Sequence, residues 1–360
     1  MAFDLVKLLT DVFAPEGDEV VTVACDLPRT PEEDNPSWAD RRAWAEEWRQ
    51  AFLALGSRVG FATNPLLTYP ATGAHGAPLP AEGFLGGRAV NVEEVLLGST
   101  LAVFLTQYSA TAPLDELTRK KRDFRAASLP GVERRMTQTA LAADYREVAR
   151  RCRLLFEMLT GAEGLEVTFS TGHRCFFDLR FRKPEVDDGF LPRRKEGDRV
   201  INLPSGETFI VPYEGERPDT PSRTAGDIPW QEGAERVVFR IENNRVVEVL
   251  GEGPVAKRFR ETFATDPARA NVAEVAFGCN PEAQVTGNVL EDEKAGFHWA
   301  YGRSDHLGGT VGVPAFRFPQ TVVHQDLVYA PGNPVTVALA QVLRGNVRQT
   351  VMERGAYTLF

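Results

Sequence analysis

The chain is poor in sulfur and imidazole, with four cysteines and five histidines in 360 residues. Cys25, Cys152, Cys175 and Cys279 are scattered, with no C-x-x-C pair and no spacing of a small stapled domain. That excludes a disulfide scaffold and fits reduced, buried thiols in a cytoplasmic protein. Long apolar runs are missing as well. None spans a bilayer, and Met1 to Phe13 carries Asp4, Lys7 and Asp11 where a signal peptide needs an unbroken apolar stretch. A surplus of basic residues is also absent. Lys plus Arg is 41 against 50 Asp plus Glu, a formal net charge of −9, which argues against nucleic acid or an anionic membrane as partner. What remains is an ordinary globular balance, 43% hydrophobic and 25% charged, which excludes disorder and collagen-like repeats.

The first part of the chain alternates strand and helix signals. Val20 to Ala24 is a short β-branched run expected as a buried strand. A helix is expected from Pro36-Ser37, capped by Ser37, with Asp40 in its first turn and Gly56 as its end. Trp44, Trp48, Phe52 and Leu55 share one face of it, as core packing does. Val59 to Thr63 and Leu101 to Leu105 read as further strands, so the region is expected to be a doubly wound α/β domain with a parallel sheet. A helix from Asp144 to Thr160 closes it, and Gly161 and Gly164 place a boundary between domains 1–162 and 163–360. The second part is rich in strands. Thr171-Gly172 and Asn243-Asn244 are hairpin signals, and one helix, Pro254 to Phe263, interrupts an α+β domain of largely antiparallel sheet.

Three of the five histidines lie between positions 298 and 324. In Val322-Val323-His324-Gln325-Asp326-Leu327-Val328, alternate residues of a strand share a face, so His324 and Asp326 point the same way. An imidazole beside a carboxylate on a rigid strand is half of a metal site, although such pairs are more often surface contacts. Asn202-Leu203-Pro204-Ser205-Gly206-Glu207 holds Glu207 behind a tight turn, and by itself reads as an ordinary hairpin with an exposed acid. Glu274 stands inside the apolar run Asn271 to Phe277, where it must face solvent, meet a cation or bind a metal. His298 lies in the aromatic run Phe297 to Gly302, behind Glu291-Asp292-Glu293, and Asp305 and His306 occupy the turn after it.

Taken in order, these segments resemble the thermophilic-type metallo-aminopeptidases, the family of aminopeptidase T and aminopeptidase S. The resemblance begins faintly at Phe124 to Gly131. It runs through Asn202 to Glu207, Ala273 to Pro281, Asp292-Glu293-Lys294 and His298, and ends at His324-Gln325-Asp326. It covers the C-terminal half well and the first half only by its α/β rhythm. It implies that Glu207, Glu274, His298, His324 and Asp326 are metal ligands for two divalent ions, zinc, cobalt or manganese, with Asp326 between them. Glu293 falls where the family has a further active-site acid, a proton shuttle or a group for a substrate amine. The implied activity is aminopeptidase-like cleavage of a small peptide or amide by a hydroxide bound to the dinuclear site, in a homodimer.

One position departs from the pattern. The family commonly has a tyrosine seven residues after the histidine matched by His298, and here that residue is Asp305. A carboxylate repels the oxyanion that a phenol would stabilise, so Asp305 is expected as a metal ligand or as a group that redirects the chemistry. Tyr301 is an odd number of residues from His298 and faces away. Dihydroxypyridine dioxygenases resemble the same His-x-Asp motif and use one Fe(II). In them a histidine replaces the residue matched by Glu274 and the Glu207 position is not acidic, so both carboxylates favour the hydrolase. A non-peptidase enzyme repurposed on this scaffold is the remaining alternative.

Overall fold

A computed structural model describes residues 3–360, so the first two residues of the expected N-terminal domain lie outside the described residues. The chain forms two compact units. One runs to Tyr145 and includes Gly189–Ser205, and the other comprises Arg146–Asp188 and Gly206–Phe360.

The first unit has the expected α/β architecture, but its bounds differ from 1–162: nearly all of the helix Tyr145–Leu159, expected to close it, belongs to the second unit. The parallel strands of the first unit lie in the order Val200–Asn202, Arg125–Ser128, Leu101–Phe104, Val20–Leu27 and Leu67–Pro70, and two short antiparallel strands extend the last edge. The helix Pro36–Val59 buries Trp44, Trp48, Phe52 and Leu55, as their spacing predicts. Its ends differ from the expectation. Asn35, not Ser37, accepts the bond from the Trp38 N–H, and the helix runs through Gly56 to a left-handed Gly60. Gly56 is needed for contact, since a Cβ there would meet the Phe61 carbonyl oxygen at 2.6 Å. Consequently only Ala62–Thr63 of the strand expected from Val59 forms.

The segment 200–207 is not a hairpin. Val200–Asn202 pairs in parallel with Arg125–Ser128, and after the turn at Pro204 the chain enters a different sheet at Glu207. The turn therefore marks a passage between the two units rather than a reversal within one sheet.

The second unit contains two antiparallel sheets. The five-stranded one is built from β1 (Glu185–Asp187), β2 (Glu207–Ile210), β3 (Val272–Gly278), β4 (Phe297–Gly302) and β5 (His324–Tyr329), in that spatial order. The other has eight strands and includes both expected hairpins; Asn243 and Asn244 take the positive φ values that a tight hairpin turn needs. Aromatic side chains join the two sheets. Phe297 and Tyr329 of the five-stranded sheet meet Phe169, and Trp299 meets Phe239. The helix Pro254–Thr265 adds Phe259 and Phe263 to this core. Among the described residues, no helix is long and apolar enough to cross a membrane.

Candidate metal centre

Alternation decides which side chains leave the aromatic core. On β4, Phe297, Trp299 and Tyr301 are packed among aromatic rings, so His298, Ala300 and Gly302 face the other way. Register carries that face across the sheet. Asp187 pairs with Glu207, Glu207 with Gly278, Ala276 with His298, Glu274 with Ala300, Ala300 with Asp326, and Gly302 with His324. Directly paired residues lie on the same face. The five expected ligands therefore share one face, interleaved with glycine and alanine that leave room for longer side chains.

The donors form two groups, Glu207 with Glu274 and His298, and Glu274 with His324 and Asp326. Within each group, one donor atom from every residue lies within 4.8 Å of the others. Glu274 is common to both, the position in which the resemblance puts Asp326. The strand order explains this: β3 lies between β2 and β4, and only the small Ala300 separates Glu274 from Asp326 in their row.

The two imidazoles are held in similar ways. His324 Nδ1 is 2.7 Å from the Arg303 carbonyl oxygen, and its Nε2 is 2.9 Å from Glu274 and 3.6 Å from Asp326. His298 Nδ1 is 3.3 Å from the Gly296 carbonyl oxygen, and its Nε2 is 3.2 Å from Glu207 Oε2 and 3.8 Å from Glu274. A backbone acceptor at Nδ1 directs Nε2 to the acids, as in imidazoles that bind metals. The buried Glu207 Oε2 has no hydrogen-bond partner of good geometry, although His298 Nε2 lies 3.2 Å from it. An orphaned carboxylate oxygen beside an imidazole fits a divalent cation, and oxygen and nitrogen donors suit zinc, cobalt or manganese.

Electrostatics in the site follow from burial. Burial pushes the Glu274 carboxyl up, against the neighbouring His324. For Glu207, burial acts upward but is outweighed by Lys294 and His298, so its carboxyl lies below the ordinary range. Burial also disfavours charge on His298, yet contact with Glu207 and the nearby acids raises that ring to about 9. His324 and the Asp326 carboxyl stabilise each other's charge, and Asp326 is held at about 2 despite its burial.

Glu293 and Lys294 enter from the turn before β4. Gly278 makes this possible, because a Cβ there would lie 1.9 Å from the Glu293 carbonyl oxygen. Lys294 is fully buried, with Nζ against Glu207 Oε1, 2.8 Å from Glu293 Oε1 and 3.9 Å from Asp187 Oδ2. Burial pushes the Glu293 carboxyl up to about 8, against the adjacent ammonium. Sequence reasoning gave no role to Lys294 or Asp187. A buried lysine has no local sequence signature, and the only signal was a cation beside Glu293 at the mouth of an aromatic strand.

Asp305 lies outside both donor groups. Its Oδ1 accepts from Arg303 Nε at 2.6 Å, and burial is outweighed by His306 and Arg303, so its carboxyl is well below the usual range. The neighbouring His306 ring packs edge-on against His324, with centroids 5.1 Å apart, and is likewise outside the groups. Tyr301 faces the aromatic core, as its spacing predicts.

Compared with protein-family models and with curated proteins, the chain finds no match. Solved structures that share its fold include the two that follow. One is 2,5-dihydroxypyridine dioxygenase from Pseudomonas putida KT2440, with a TM-score of 0.64 and 16% identity over 98% of this chain and 96% of that one. The other is wild-type AmpT from Thermus thermophilus, with a TM-score of 0.59 and 16% identity over 98% of both chains. The relation is one of fold, and it joins the two families that the motifs resemble.

Proposed function

We propose that this chain is a metal-dependent hydrolase that cleaves a small peptide or amide in the manner of an aminopeptidase. The observation that carries this reading is Glu274, one carboxylate common to two adjacent donor groups. Divalent zinc, cobalt or manganese ions held by Glu207, Glu274, His298, His324 and Asp326 would lower the pKa of a bound water and polarise a scissile carbonyl.

The remaining steps belong to the chain. Glu274 holds the two groups in register through its place on the central strand. The backbone carbonyls of Gly296 and Arg303 orient the two imidazoles. Glu293 is the proton carrier of this reading: Lys294 holds its Oε1, and burial raises its carboxyl above the ordinary range, which favours its carrying a proton. Asp305 keeps Arg303 in place, and Arg303 in turn presents the carbonyl that faces His324. A homodimer belongs to the same reading, and sedimentation equilibrium tests it.

A mononuclear Fe(II) ring-cleaving dioxygenase is the second reading, favoured by the fold shared with such an enzyme. Non-haem Fe(II) oxygenases use two histidines and one carboxylate, whereas each donor group here contains one histidine. That difference supports the hydrolase. Assay of the purified protein on a panel of aminoacyl chromogenic substrates, with and without chelator, tests it. The wild type is expected to cleave at least one substrate in a metal-dependent manner, and Glu274→Gln to lose more than about tenfold of that rate. Absence of chelator-sensitive cleavage on every substrate, with oxygen uptake on hydroxypyridines, would establish the second reading instead.

A further inference from the structure

The two donor groups differ in one respect that their residue types do not show. Among the described residues, no lysine or arginine side chain forms an ion pair with Glu274 or Asp326 in the Glu274–His324–Asp326 group, and Lys294 reaches Asp326 only through space. Glu207, in contrast, is already in contact with a cation, because Lys294 Nζ lies against its Oε1. That ammonium is wholly buried, is fixed on a second side by Glu293 at 2.8 Å, and faces Asp187 at 3.9 Å. It is therefore a permanent internal cation and cannot move out to solvent to make way for an ion.

We infer that the groups fill in a fixed order, Glu274–His324–Asp326 tightly and first, Glu207–Glu274–His298 weakly and second, with Lys294 setting the difference. This rests on the reading of the site as a two-metal centre. Three observations support it. Only one Glu207 oxygen, Oε2, remains for an ion. The ammonium repels any divalent ion placed beside it, an effect strengthened where water is excluded. The imidazole of the first-filled group is also the better anchored, with Nδ1 2.7 Å from its backbone acceptor against 3.3 Å for His298. Lys294 is thus a positioning residue: it holds the second ion's carboxylate and keeps that ion exchangeable, so the resting protein at low metal carries one ion.

Titration of the metal-free full-length protein with cobalt(II), read by calorimetry and by visible absorption, tests the inference without using activity. The wild type is expected to bind in two steps more than about tenfold apart in Kd. Glu207→Gln should retain the tight step and lose the weak one, while Asp326→Asn should lose the tight step. Lys294→Met should bring the weak step toward the tight one by about tenfold or more. Should Lys294→Met fail to fold, the Glu207 and Asp326 variants decide the order. Two steps of equal affinity, or loss of the tight step in Glu207→Gln, would overturn the inference and leave the two-metal reading standing. A protein that binds no cobalt would overturn both.

Discussion

At the scale of single residues, burial sets the chemistry more than residue type does. All four cysteines are free and at most 3% exposed, with the Cys152 and Cys279 sulfurs 3.5 Å apart. Burial pushes the Cys25 thiol up to about 12 and raises Cys175 well above its ordinary value, while Cys152 is raised first by its contact with Cys279. Thiols without thiolate character react slowly. Ellman's reagent is expected to find none within minutes in the native protein and four after unfolding; fast native labelling would contradict this burial. Asp178 behaves in the opposite sense. Its buried carboxylate accepts from Arg180 and from the Arg223 backbone N–H, and these contacts outweigh burial and lower its pKa. A lowered carboxylate contributes stability that is complete above the unfolded value near 3.9 and is lost as pH falls through the folded value. Asp178→Asn should therefore destabilise the protein by about 1.5–3 kcal/mol at pH 7, and by progressively less as the pH is lowered below about 4. A difference in melting temperature that does not change with pH would contradict the assignment.

At the scale of elements, much of the site was legible from alternation. His324 and Asp326 share a face because they are two apart on one strand, and Tyr301 turns away from His298 by the same rule. The assembly of four strands into one donor face was not legible, because it depends on which strands are neighbours and in what register. The pairings of Glu207 with Gly278 and of Glu274 with Ala300 leave no mark in the sequence. Nor does the return of Gly189–Ser205 to the first unit, because a three-residue parallel strand has too little periodicity to be assigned a sheet. Gly278 gives an element-scale test. A methyl group there would lie 1.9 Å from the Glu293 carbonyl oxygen and 2.5 Å from the Lys294 carbonyl carbon, so Gly278→Ala must push the turn away from β3. We expect a loss of about 1–3 kcal/mol in stability and an altered second cobalt step, with the first step kept. Wild-type melting together with wild-type binding would show that the turn does not depend on this contact.

At the scale of the whole molecule, the formal charge of −9 acquires a location. Asp187, Glu207, Glu274, Glu293 and Asp326 lie around one buried ammonium and two imidazoles, an excess of acid that no surface arrangement requires. Water cannot compensate it, because these side chains are largely buried. Divalent cations would, as the proposed metal centre requires. The scarcity of histidine is sharpened in the same way. His75 and His173 lie elsewhere, His306 stands beside the site, and only His298 and His324 enter the donor groups. Metal analysis of protein purified without added metal and then held in equilibrium dialysis against saturating zinc, cobalt or manganese, with bound metal counted as the excess over the dialysate, tests the central claim most directly. About two divalent ions per chain, and fewer in Glu274→Gln, is the result expected from a carboxylate shared by both groups. A single iron per chain, or a metal content unchanged by Glu274→Gln, would contradict it.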